Sequence, residues 1–151
     1  MSRLYDGKPA DPAAGAVVII TVPTAKRWRL VAIRFKLVTS ATVATRQVTL
    51  IIDDGTNVIW RKLVAATQTA GLTRNYLFTA YDGRADDTAF DANNEIKIYF
   101  PTAFTAEASL PAAYRMLTST ASIQVGDQFT IQEVLVEEFT EGPPSGYRSQ
   151  W

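Results

Sequence analysis

The segment Arg46 to Val64 constrains the chain more than any other. Val48, Leu50 and Ile52 alternate with Gln47 and Thr49. Asp53-Asp54-Gly55-Thr56 then intervenes, and a second run, Asn57 to Val64, follows at once. Period-two alternation sends one side chain toward a core and the next toward water. Asp-Gly is a strong hairpin signal, because both residues tolerate positive φ. Residues 46–64 are therefore predicted to form a β-hairpin.

The same grammar extends in both directions. Ala16 to Val22 is a β-branched run closed by Pro23. Trp28 to Val38 is a longer strand, with Val31, Ile33, Phe35 and Leu37 expected on one face. Trp28, Leu30 and Ala32 fall on the other face, which turns polar at Arg34 and Lys36. Arg74 to Tyr81 and Glu95 to Phe100 follow, the latter preceded by Asn93-Asn94 and stopped by Pro101. Ser119 to Val125 leads through Gly126-Asp127 into Gln128 to Phe139. In that last strand Phe129 and Ile131 are out of phase with Val134 and Val136, so a bulge is predicted near Gln132-Glu133. The one helical signal is weak, a turn within Ala106 to Leu117 interrupted by Pro111.

About eight strands with turns every ~8–12 residues predict an all-β fold, an antiparallel β-sandwich or jelly roll. A length of 151 residues fits one such domain. Residues 16–139 are assigned to the sandwich. Residues 1–15, with Pro9 and Pro12, read as an irregular N-terminal arm, and residues 140–151, with Pro143-Pro144, as a C-terminal arm.

Composition narrows the chemistry. The chain has neither His nor Cys. That removes imidazole bases, thiol nucleophiles, disulfides and the usual donors for zinc, copper and haem. Lys plus Arg equals Asp plus Glu at 15 each, a poor balance for a phosphate-driven nucleic-acid binder. No stretch approaches the ~20 apolar residues of a membrane span, and the N-terminus lacks the plan of a signal peptide. The expectation is a chain made without Sec export that contacts neither nucleic acid nor membrane.

Several constellations have a chemical and a structural reading. The acidic stretch 82–95 offers oxygen ligands for calcium, but its spacing departs from the EF-hand rule and suits a solvated turn. Asp53 and Asp54 are adjacent in a turn, and Glu137 and Glu138 lie on opposite faces of a strand end. No acidic pair has a context that suggests desolvation, and there is no activated nucleophile. No catalytic residue, cofactor or metal ligand is therefore assigned. Lys26-Arg27-Trp28-Arg29 reads as a strand start, with Trp28 packed and Arg27 and Arg29 snorkelling, ahead of a phosphate patch. Arg3, Leu4, Tyr5, Tyr147, Arg148 and Trp151 sit in the arms, where no local core can take an aromatic ring. Such residues are either disordered or dock on the body or a neighbouring subunit, and they are the candidate partner-binding set.

Ile20-Thr21-Val22-Pro23-Thr24-Ala25-Lys26-Arg27-Trp28-Arg29-Leu30-Val31-Ala32-Ile33, the segment from Thr39 to Val48, and the hairpin at Asp53-Asp54-Gly55 carry a resemblance. They resemble small jelly-roll capsid decoration, or cement, proteins of tailed bacteriophages, over residues 16–64 by motif and elsewhere by β pattern. The resemblance implies a homotrimer on the outer capsid surface that holds neighbouring major capsid subunits together. It also implies terminal arms that reach across subunits, and assembly in the host bacterial cytoplasm. Other readings stay open. One is a phage tail or head-fibre component. Another is a carbohydrate-binding β-sandwich with Tyr76, Tyr81 and Tyr99 as a platform. A carboxylate enzyme is the third.

Overall fold

The computed structural model describes residues 2–80, 95–100 and 109–140. It is all-β, with two sheets packed face to face. The strands are β1 (Ser2–Asp6), β2 (Ile19–Thr21), β3 (Lys26–Val38), β4 (Gln47–Asp53), β5 (Val58–Leu63), β6 (Thr73–Thr79), β7 (Glu95–Tyr99), β8 (Arg115–Ala121) and β9 (Gln128–Thr140). One sheet runs β1-β9-β3-β6-β7 and the other β2-β8-β4-β5. Neighbours are antiparallel except β6 and β7, which are parallel.

The core lies between the inner faces, as in other aligned sandwiches. Leu30, Ile33, Phe35 and Leu37 of β3 meet Val48, Leu50 and Ile52 of β4, with Met116, Phe129, Val134 and Val136 around them, all buried. Phe35 is the hub of an aromatic cluster, its ring 5.4 Å from Tyr76, 5.8 Å from Phe78 and 5.5 Å from Phe129. The predicted hairpin is present as β4 and β5. Gly55 holds φ +95°, and Asp54 accepts hydrogen bonds from the Thr56 and Asn57 amides inside the turn.

The pair β3–β9 forms the spine and carries two compensating bulges. Leu30 pairs with Val136 and Ala32 with Leu135, so Val31 is the extra residue in β3. Arg34 pairs with Glu133 and Phe35 with Ile131, so Gln132 is the extra residue in β9. The β9 bulge is the one predicted from the phase break. The β3 bulge corrects the expected face assignment. Val31 does not share a face with Ile33 and Phe35. The extra residue instead brings Trp28 and Leu30 onto the same buried face as Ile33, Phe35 and Leu37.

Three other expectations change. Part of residues 1–15 is strand, because Ser2–Asp6 pairs along Leu135–Phe139 as the sheet's edge. The chain then stays with β9 as far as residue 15. Gly7 N donates to Val134 O, Ile131 N to Asp11 Oδ1, Gln128 Nε2 to Pro12 O and Gly15 N to Asp127 O. The described part of Ala106–Leu117 is not helical. Leu110 bridges to Trp28, and Arg115–Leu117 opens β8, which pairs with β4 on one side and β2 on the other. That strand therefore spans 115–121, displaced from the expected 119–125. Tyr147, Arg148 and Trp151 of the C-terminal arm lie outside the described residues, as does the acidic stretch up to residue 94.

Candidate functional site

The register of three strands assembles one polar site. Arg3 of β1 and Trp28 of β3 both lie opposite Glu138 of β9, so the carboxylate stands between them. Alternation explains why it is buried. Val134, Val136 and Glu138 share the core-facing phase, and Glu138 is only 4 % exposed. Trp28 Nε1 donates to Oε2 at 3.0 Å. Arg3 donates to Oε1 through Nε at 3.2 Å and Nη2 at 2.9 Å. Lys26 Nζ is 3.8 Å from the same oxygen and donates to Thr140 Oγ1 at 3.0 Å.

Tyr5 packs beside this cluster. Its ring is 6.4 Å from that of Trp28, and the Arg3 guanidinium lies 4.9 Å from its centroid. Gly7, just past the end of β1, lies against Trp28, where a Cβ would come within 2.6 Å of Cη2. The rim opens into a shallow hollow of about 340 Å³ lined by Ser2, Arg3, Lys26, Glu138 and Thr140. Leu4 points the other way and is 69 % exposed.

Burial pushes the Glu138 carboxyl up. The Trp28 and Arg3 hydrogen bonds and the Arg3 and Lys26 charges outweigh it and hold the group below the usual range. The carboxylate is ionised at neutral pH and satisfied by donors. It therefore anchors the edge strand and is ill suited to shuttle a proton. Two cations face one anion here, and the Arg3 side chain is 65 % exposed.

Other acidic residues are fixed in place. Arg46 and Asp127 are both fully buried, with Nε to Oδ2 and Nη2 to Oδ1 at 2.8 Å each. Asp127 also accepts from the Ser40 and Gln124 amides at 2.8 Å. Burial would raise its pKa, but Arg46 and these amides hold it at about 2. Asp53 forms a two-point pair with Arg115 at 2.9 and 2.7 Å, which lowers its pKa. Glu137 and Glu138 do take opposite faces, and Glu137 binds Arg29 at 2.8 Å. In each of the two acidic pairs only one member is buried, Asp53 and Glu138, and Asp127 is a third buried carboxylate. The alternation of β9 carried the Glu138 signal, whereas Asp127 looked like an ordinary turn residue.

The remaining sequence candidates separate. Trp28 is buried, Arg29 lies over the Phe139 ring at 5.2 Å, and Arg27 donates to Ser109 Oγ at 2.9 Å. Tyr76 is fully buried. Its hydroxyl donates to Gln68 Oε1 at 3.0 Å, and burial pushes it up to about 12. That removes Tyr76 from any surface platform. Tyr99 is 45 % exposed on β7, and Tyr81 lies outside the described residues. Of the partner-binding set, Arg3 and Tyr5 come together at the rim, with Leu4 on the reverse side of the same strand.

The chain matches no family model, no curated protein and no solved structure. Residues missed by sequence reasoning at this site are Lys26, Glu138 and Gly7. Their partners lie more than 100 residues away along the chain for Lys26 and Glu138, so no local spacing rule connects them.

Proposed function

We propose that the chain is a structural virion protein of a tailed bacteriophage, a capsid decoration protein. In this reading it binds the outer capsid surface as a homotrimer and ties neighbouring major capsid subunits together. The observation that supports it best is the β1 edge. A strand laid along the rim of a sandwich offers an exposed Leu4 on one side and, on the other, an exposed Arg3 beside a hollow that Lys26 and Glu138 also line. Arginine and tyrosine are enriched at interaction hot spots, and Arg3 and the partly exposed Tyr5 both lie on this edge. The resemblance of residues 16–64 to decoration proteins is the other support for this reading. A tail or head-fibre role would use the same surface.

The test is co-sedimentation with shells of the parent particle assembled without this protein, alongside light scattering of the free chain. Wild type is expected to form a trimer and to pellet with shells. Leu4→Glu should lose pelleting while its thermal melt stays within about 0.5 kcal/mol of wild type, as for surface substitutions generally. A chain ending at Thr140 measures the C-terminal arm separately. Failure of wild type to pellet with shells, but pelleting with tails, would move the reading to a tail component. Pelleting with neither would end the virion reading.

A further inference from the structure

Among the described residues the two sheets end on β1, β7, β2 and β5, and β5 differs in chemistry from β1. β5 ends the four-stranded sheet, and among the described residues only β4 pairs with it. Val58, Ile59 and Leu63 are 58 %, 44 % and 53 % exposed on this one short strand. Arg61 lies opposite Ile51 and Lys62 opposite Leu50. Cross-strand partners share a face, and Leu50 is buried in the core. Lys62 therefore stands on the core side of the sandwich rim and Arg61 on the outer side. Both are exposed, and neither has an ion pair among the described residues. β5 itself contains no acidic residue.

We propose that the open edge of β5 pairs with an extended segment of another protein chain in which two adjacent carboxylates are flanked by aliphatic residues. An added strand alternates its side chains between faces, so adjacent carboxylates meet Lys62 on one face and Arg61 on the other. The flanking aliphatics then lie opposite Trp60 and Leu63. A second copy of β5 does not fit. Two such edges side by side would crowd four cations, and like charges across a ladder are destabilising. A run of the required kind exists in this chain, Leu135-Val136-Glu137-Glu138-Phe139, but it lies within β9 and is already paired with β1 and β3. An inward lysine on an edge strand also deters indiscriminate strand addition, which makes the carboxylate a condition of entry.

This deepens the reading above and rests on it, by giving the chemistry of one partner segment. The probe is an acetylated, amidated peptide TVEEVT, with TVKKVT as its control, titrated into the full chain at millimolar concentration. The readout is amide hydrogen exchange. The acidic peptide should slow exchange of β5 amides by about tenfold or more, since edge amides open readily when unpaired. The basic peptide should leave them unchanged. The double variant R61E/K62E should reverse that preference, and the neutral R61Q/K62Q should abolish it. The proposal is overturned if β5 exchange is unchanged by TVEEVT, if both peptides slow it equally, or if protection appears only at β1. Co-sedimentation with shells separates this from the virion reading. Shell binding without peptide protection sinks the edge proposal alone, and peptide protection without shell binding sinks the virion reading alone.

Discussion

Asp127→Ala tests most directly how this cysteine-free sandwich is held together. The substitution removes both 2.8 Å contacts to Arg46 and the acceptors for the Ser40 and Gln124 amides. Arg46 would keep its bonds to Ala44 O and Ser40 Oγ but would be a fully buried cation without a counter-charge. Breaking a buried pair from one side costs about 3–5 kcal/mol. That is a large part of the about 5–15 kcal/mol that separates folded from unfolded domains. For a chain of this size it corresponds to a fall in Tm of about 6–20 °C. Urea titration followed by tryptophan fluorescence measures it. Asp127→Asn keeps the shape and should lose a similar amount, because an amide N–H would face the guanidinium or a backbone N–H. Adding Arg46→Met to Asp127→Asn should cost at least about 1 kcal/mol less than the sum of the singles, since coupled neighbours are non-additive. A cost below about 1 kcal/mol for Asp127→Ala, or strict additivity in the double variant, would refute the claim that the buried pair is a coupled lock.

The same pair sets a pH dependence. The folded pKa of Asp127 is about 2 against an ordinary 3.8. A depressed carboxyl contributes stability that is complete above the unfolded pKa and is lost as pH falls through the folded one. Wild type should therefore lose stability between about pH 4 and pH 2, and Asp127→Asn should show a shallower acid limb in the same window. Asp53 and Glu138, also depressed, should keep that limb from vanishing.

Two further outcomes are expected. Trp28→Phe removes the donor to Glu138 Oε2 and leaves a buried carboxylate oxygen short of a partner; denaturant titration should give a loss of about 1–3 kcal/mol. Gly7→Ala puts a methyl into the Trp28 ring, so it should cost about 1–3 kcal/mol and perturb the near-ultraviolet dichroism of that tryptophan, whereas an unchanged spectrum would show that β1 does not pack as described.

How much of this was legible in the sequence depended on whether polarity marked the event. In β9 the polar pair Gln132-Glu133 breaks the apolar phase, so the bulge was visible. In β3 the bulged residue is Val31, as apolar as its neighbours, and nothing in the alternation announced it. The hairpin β4–β5 was legible because its signal, Asp-Gly between two runs, is local. β1 was not, because Ser2–Asp6 has a partner more than 100 residues away and little apolar pattern of its own. Alternation also fixes faces and not direction, so the parallel pairing of β7 with β6 was out of reach. The candidate site was half visible. Arg3 and Tyr5 stand out in the sequence as a cation and an aromatic in an arm, whereas nothing local marks Glu138 as the carboxylate that fixes Arg3.

Net charge hid the same distinction. Fifteen cations and fifteen anions cancel in the sum but do two different jobs. Arg46–Asp127, Arg115–Asp53 and Arg3–Glu138 join residues 81, 62 and 135 positions apart. Arg46–Asp127 ties a turn and Arg3–Glu138 an edge strand to a distant part of the chain, Arg115–Asp53 joins the neighbouring strands β8 and β4, and acid loosens all three. Arg61 and Lys62 have no such partner among the described residues and lie at an open edge beside exposed aliphatics. A buried arginine matched by a buried carboxylate adds nothing to the field outside the protein. A pair of unmatched cations on a strand edge adds a local field that a zero net charge conceals. Arg3 and Lys26 share the Glu138 carboxylate, so of these cations it is the β5 pair that, among the described residues, lacks such a carboxylate partner.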